Sequence, residues 1–208
     1  LIGNYGVTLD DFESLQPQIK GVICRQVARI PSNWRMQDTL PGFLEKMNIP
    51  GLQGIDTREL VRKLRHFGTL RGRIADSITD ADSVVKELKR QNPTKGIISQ
   101  VSTKTLYPNP GTKRNIVVVD FGAKHSILRE LAKRDCNTIV VPYSTTAQEI
   151  LNLHPDGVLL SNGPGNPEEM TAAAEMVAEI EKHLPVFGIC MGLQIFALAN
   201  GASTYKMK

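Results

Sequence analysis

Cysteine is scarce in this sequence, with three in 208 residues: Cys24, Cys136 and Cys190. An odd and sparse set argues against a disulfide framework and fits a reducing, cytoplasmic compartment in which a reactive thiol stays usable. Aromatic residues are also few, 5% with a single Trp, and none interleaves with the basic residues as a base-stacking platform requires. No apolar run approaches the roughly 18 residues that span a bilayer. The expectation is therefore no nucleic-acid partner, no membrane and no bound metal. The chain opens Leu1-Ile2-Gly3-Asn4 without an initiator Met, a basic n-region or a signal-peptide core, and that start reads as a cut end. Internal repeats and low-complexity tracts are absent.

What is present suits a globular protein with a core: 41% hydrophobic and 22% charged residues. The length allows one large domain or two modest ones. The net charge of +4 is uneven, with 16 Lys/Arg against 11 Asp/Glu in residues 1–112 and 9 against 10 thereafter. The densest basic stretch is Arg58-Glu59-Leu60-Val61-Arg62-Lys63-Leu64-Arg65. It can be read as a surface for an acidic partner. The simpler reading is the solvated face of an amphipathic helix, since Leu60, Val61 and Leu64 share one side.

A boundary falls near residues 102–115, where Pro, Gly and polar residues carry no apolar period. Before it stand short apolar pieces, Gly21–Cys24 and Gly96–Ile98, and helices predicted at about 38–47, at 57–67 capped by Asp56 or Thr57, and from Asp80 or Asp82 to about Gln91. After it, Ile116-Val117-Val118-Val119-Asp120 is a continuous β-branched run, as in a parallel strand buried on both faces. Helix Ser126–Arg134, strand Asn137–Val141, helix Thr146–Leu153, strand Gly157–Leu160, helix Pro167–His183, strand Pro185–Ile189 and a helix from Met191 follow. Alternating strands and helices give βαβ units and an open parallel sheet. The expected fold is α/β, a flavodoxin-like doubly wound sheet at 108–208 preceded by a smaller mixed domain at 1–107.

Cys190 stands where the last strand meets the last helix, with Gly188 and Gly192 two residues to either side. This is a strand–nucleophile–helix turn with sulfur in place of a serine oxygen. The glycines remove bulk where strand and helix nearly touch. A helix N-terminus favours negative charge on the sulfur, and the Met191 N–H can hold a developing oxyanion. A buried structural cysteine in a tight turn is the plainer alternative, and Cys24 and Cys136 are read that way. A second feature favours catalysis at Cys190: Ser161-Asn162-Gly163-Pro164-Gly165-Asn166-Pro167 leaves the preceding strand toward the same sheet edge. Its Gly163 N–H offers a second oxyanion donor. A plain turn or a phosphate loop would also be Gly/Pro-rich, although the Gly-Lys-Ser/Thr ending of a phosphate loop is missing.

The Gly188–Gln194 elbow and the Ser161–Pro167 loop together resemble the class I, triad-type glutamine amidotransferases. Val119–Arg129, Gly54–Arg65 and Leu1–Gly6 resemble, more narrowly, the small glutaminase subunits of carbamoyl-phosphate synthetases. The resemblance covers essentially the whole chain. It implies glutamine hydrolysis through a thioester on Cys190, an oxyanion hole from Gly163 and Met191, and L-glutamine held by Gly165 and Gln194. It also implies a large partner subunit that binds ATP and Mg and makes carbamoyl phosphate for pyrimidine and arginine synthesis. No cofactor is implied in this chain. Lys124 is read as a rim or partner residue, or simply as a solvated lysine. Two departures stand out. The family has His immediately before the Gln, where this chain has Leu193, and altered packing is expected there. The family's base is a His followed two residues later by Glu, well beyond the elbow. None of His66, His125, His154 and His183 fits it, so the 208 residues read as a middle piece, inactive alone. The other readings are a different Cys hydrolase on a similar sheet and a catalytically dead docking module.

Overall fold

Helix starts in this protein follow their caps. In the computed structural model, which describes residues 6–91 and 95–205, Asp56 accepts hydrogen bonds from the Arg58 and Glu59 N–H groups at 3.0 and 3.1 Å. Helix α2, Thr57–Phe67, begins there. Asp80 likewise caps α3, Ala81–Arg90, through the Ser83 N–H. Thr39 caps α1, Leu40–Lys46, with Pro41 in the first turn, where a missing N–H costs nothing. Each side-chain oxygen satisfies a donor that the first helical turn leaves orphaned.

The chain separates into two compact units, divided after Pro93. In the first, β1 (Val22–Cys24) pairs in parallel with β2 (Gly51–Gln53). Cys24 and Leu44 are its buried apolar residues among those described. Helices α2 and α3 bury none of theirs: Val61, Leu64 and Phe67 all stand exposed. The basic side of α2 is solvated as expected, and of its apolar stripe Leu60 is partly buried while Val61 and Leu64 are exposed. Leu1–Tyr5, part of the family resemblance, lie outside the described residues.

The second unit holds a five-stranded sheet in the order β3-β5-β4-β6-β7. Its strands are β3 (Tyr107–Asn109), β4 (Asn115–Asp120), β5 (Asn137–Pro142), β6 (Gly157–Leu160) and β7 (Val186–Gly188). All pairs are parallel except β3 with β5. Val117, Val118 and Val119 are each 1% exposed or less. Their side chains alternate, so both sheet faces must be covered. Val118 packs with Val140 and Leu159 under Ile127, Leu128 and Leu131 of α5, His125–Lys133. Val117 and Val119 face Ile150 of α6 (Ala147–Leu151), Met176, Val177 and Ile180 of α7 (Thr171–Ile180), and Ile195 of α8 (Met191–Ala199). Helices on both faces make this the doubly wound α/β arrangement.

Three departures from the expected elements occur. The stretch expected to be irregular near residue 107 contains β3, whose Pro108 sits on an antiparallel edge, the position where proline is tolerated. Its Tyr107 phenol is pushed up by burial and, secondarily, by the Asp120 carboxylate. The segment from Ile97 also joins the second unit: α4, Ile97–Val101, brings Ile98 into the core, and the Thr103 N–H donates to Asp120 Oδ2 at 2.6 Å. The structural division therefore precedes the expected 107/108 line. The helix expected over 167–183 is broken at Met170 into a 3-10 turn, Pro167–Glu169, and α7. Among the described residues no helix is long and apolar enough to cross a membrane.

Candidate active site

Strand β7 ends at Gly188, and α8 begins at Met191 with Cys190 as its N-cap residue. Cys190 has φ 53° and ψ −107°. The other non-glycine residues with positive φ among those described are Asn48, Asp135 and His154, types that visit the left-handed region readily. A cysteine there, with ψ far from the left-handed helical value, is strained, at a cost on the order of 1–3 kcal/mol. The thiol is exposed, whereas Cys24 and Cys136 are buried.

The flanking glycines carry the fold of this turn. A Cβ on Gly188 would lie 2.6 Å from the Leu193 nitrogen, and one on Gly192 would lie 2.3 Å from the Leu160 carbonyl oxygen. Both obstacles are backbone, so no rotamer change relieves them. The Gly192 N–H donates to the Ser161 carbonyl at 3.0 Å, and the Ile189 N–H to the Leu160 carbonyl at 3.0 Å. With Leu160 registered against Gly188, these bonds set the elbow beside the Ser161–Pro167 loop.

That loop is also tied to the exit of β4. Ser161 is fully buried, and its Oγ accepts from the Phe121 N–H at 2.9 Å and donates to the Asn162 carbonyl at 2.8 Å. Asn162 Oδ1 accepts from the Lys124 N–H at 3.0 Å, and Nδ2 donates to the Gly122 carbonyl at 3.1 Å. Asp120, buried at the end of β4, accepts from the Gly122 and Ala123 N–H groups at 2.8 and 2.7 Å. Sequence reasoning alone does not single out Asp120 or Asn162. Their one signal is position: a polar residue at the buried end of β4 and another just past that of β6.

The remaining expected site residues are placed as follows. Met191 is buried, and its N–H and that of Gly163 take no acceptor among the described residues. Gly165 has φ 102°, and a Cβ there would meet only Ile98 Cγ1, at 4.0 Å. Gln194 lies one turn after Cys190 in α8, on the same helix face and exposed. Leu193 is 57% exposed, so it fills no core position. Lys124 precedes α5 at the same sheet edge as Cys190, without a capping hydrogen bond from its side chain, and is exposed. His183, 3.4 Å from Glu179, precedes β7, and His154 precedes β6, so a strand length separates each from the edge that holds Cys190. His125 follows β4 at that edge, but β6 intervenes, a lateral gap of about 10 Å. His66 belongs to the first unit. Among the described residues no group of three or more His, Cys, Asp or Glu side chains is placed to hold a metal.

The cysteine elbow thus stands at the carboxyl edge of a doubly wound sheet, beside the Ser-x-Gly-Pro-Gly loop. Residues 117–208 match the family described as Glutamine amidotransferase class-I. Residues 1–74 match that described as Carbamoyl-phosphate synthase small chain, CPSase domain. Over its whole length the chain is similar to carbamoyl phosphate synthase small chains. It is 55% identical over all its 208 residues to the carbamoyl phosphate synthase small chain of Streptococcus mutans, covering 58% of that protein. It is 54% identical to the pyrimidine-specific small chain of Bacillus subtilis, covering 100% of this chain and 57% of that one. The chain thus spans somewhat over half the length of these relatives. Among solved structures, a candidate GMP synthase subunit from Thermoplasma acidophilum is 33% identical over 44% of this chain and 47% of its own, with a TM-score of 0.39.

Proposed function

We propose that the protein containing this chain is the glutaminase subunit of a carbamoyl-phosphate synthetase. Cys190 attacks the carboxamide carbon of L-glutamine. The carbonyl oxygen becomes an oxyanion held by the Gly163 and Met191 N–H groups. Collapse of that intermediate expels ammonia once the nitrogen gains a proton, leaving a glutamyl thioester. Water then releases glutamate and restores the thiol, so glutamine and water become glutamate and ammonia. Gly165 and Gln194 hold the substrate. The ammonia passes to a large subunit that binds ATP and Mg and forms carbamoyl phosphate from bicarbonate.

One observation carries this reading. A strained, exposed cysteine caps α8 beside a loop whose Gly163 N–H has no acceptor among the described residues. A structural cysteine has no need of that backbone, and strain of this kind clusters where a side chain must be presented. The second unit supplies no proton shuttle among its described residues: topology brings none of its three histidines to Cys190, and a thiol nucleophile needs a base. Glutaminase assays of the complete gene product test the reading. Cys190→Ser is expected to abolish turnover while leaving the unfolding midpoint nearly unchanged. Retention of most of the activity by that variant would remove Cys190 from the chemistry.

A further inference from the structure

We propose that Asn162 is the positioning residue for the oxyanion hole, its side-chain amide fixing the direction of the Gly163 N–H; the inference rests on the glutaminase reading above. The Gly163 N–H belongs to the peptide unit that joins Asn162 to Gly163. That unit is trans and planar, so its C=O and N–H point in opposite directions. The C=O end is held by the Ser161 hydroxyl at 2.8 Å. The N–H end is therefore aimed away from Ser161, with no acceptor among the described residues.

One bond to the carbonyl leaves the peptide free to rock about that contact. The Asn162 side chain removes this freedom by bridging two backbone groups of the β4 exit loop, the Lys124 N–H at 3.0 Å and the Gly122 carbonyl at 3.1 Å. That loop is a firm anchor, because Asp120 at the end of the central strand holds its Gly122 and Ala123 N–H groups. Gly163 is also pressed against it: a Cβ there would come within 2.3 Å of the Phe121 carbonyl oxygen. The clasp transfers the rigidity of β4 to the one peptide whose N–H must not move as charge develops. Displacement of a catalytic group by about 1 Å can cost about a hundredfold in rate.

The test uses the complete gene product and two readouts. Glutamine hydrolysis depends on the oxyanion donor; alkylation of Cys190 by iodoacetamide forms no oxyanion at a carbonyl and depends only on the thiol and its access. Asn162→Ala is expected to lower kcat roughly ten- to a hundredfold, with KM changed less than about threefold, because a donor that acts in the transition state contributes little to ground-state binding. Its alkylation rate is expected to match that of wild type. Asn162→Asp keeps the acceptor for Lys124 and loses the donor to Gly122, so its kcat is expected to fall in between. An Asn162→Ala kcat within about twofold of wild type overturns the inference, as does alkylation slowed in parallel with turnover. Cys190→Ser, assayed alongside, separates the two layers. If it still turns over, the nucleophile assignment fails. If it is inactive while Asn162→Ala is fully active, only the role of Asn162 fails.

Discussion

At Cys190 two backbone effects oppose each other. Holding a cysteine at φ 53°, ψ −107° costs on the order of 1–3 kcal/mol, whereas glycine at the same place costs about 0.5–1 kcal/mol in unfolded-chain entropy. Strain outweighs entropy, so Cys190→Gly is expected to raise stability by about 1 kcal/mol in denaturant unfolding and to abolish turnover. Loss of stability in that variant would show that the turn is not strained. The flanking glycines behave oppositely. Gly192→Ala places a methyl 2.3 Å from the Leu160 carbonyl oxygen, and overpacking against backbone is expected to cost about 1–3 kcal/mol. The elbow is legible in the sequence because its requirements are steric, and steric needs leave glycines at fixed spacing. Asp120 and Asn162 are not legible, because a polar residue at or just past a strand end looks the same whether it faces water or clasps a neighbouring loop.

Among the elements, helix α6 offers the sharpest test of local coding. Thr146 accepts from the Glu149 N–H at 3.3 Å while the Glu149 carboxylate accepts from the Thr146 N–H at 2.8 Å, a reciprocal cap. Thr146→Ala is expected to cost about 1 kcal/mol in unfolding free energy, and no measurable loss would show that tertiary packing alone sets this helix start. In the last turns of α5, hydrogen bonds from Lys133 and then Arg134 pull the Glu130 carboxyl from 4.5 down to about 2. The folded value lies below the unfolded one, so the contribution is present above about pH 4.5 and lost as pH falls through about 2. An NMR titration is expected to give Glu130 a midpoint near 2, and a midpoint near 4.5 would mean the exposed ion pairs are not populated. Helices with side-chain caps are legible to within a residue or two. Strand β3 is not, since Tyr107-Pro108-Asn109 has turn composition and becomes a strand only because β5 offers it an edge.

Across the whole molecule, burial is divided unequally. Nearly all the fully buried side chains, from Ile98 to Ile195, belong to the second unit. In the first unit Trp34 is 91% exposed. It is the single tryptophan, so the fluorescence of this 208-residue chain is expected to be that of a solvated indole, open to acrylamide quenching. A blue-shifted, protected emission would contradict the description of that unit. The same chain by itself is expected to show little or no glutamine turnover, because no histidine of the second unit is placed at Cys190. Robust activity would mean one of its own four histidines reaches the sulfur. The central claim is that Cys190 forms the covalent intermediate. Its most direct test is acid quenching of the complete gene product during glutamine turnover, followed by peptide mass spectrometry. A glutamyl adduct is expected on the peptide carrying Cys190, and none in Cys190→Ser. An adduct on Cys24 or Cys136, or turnover with no adduct on any cysteine under conditions that preserve thioesters, would contradict it.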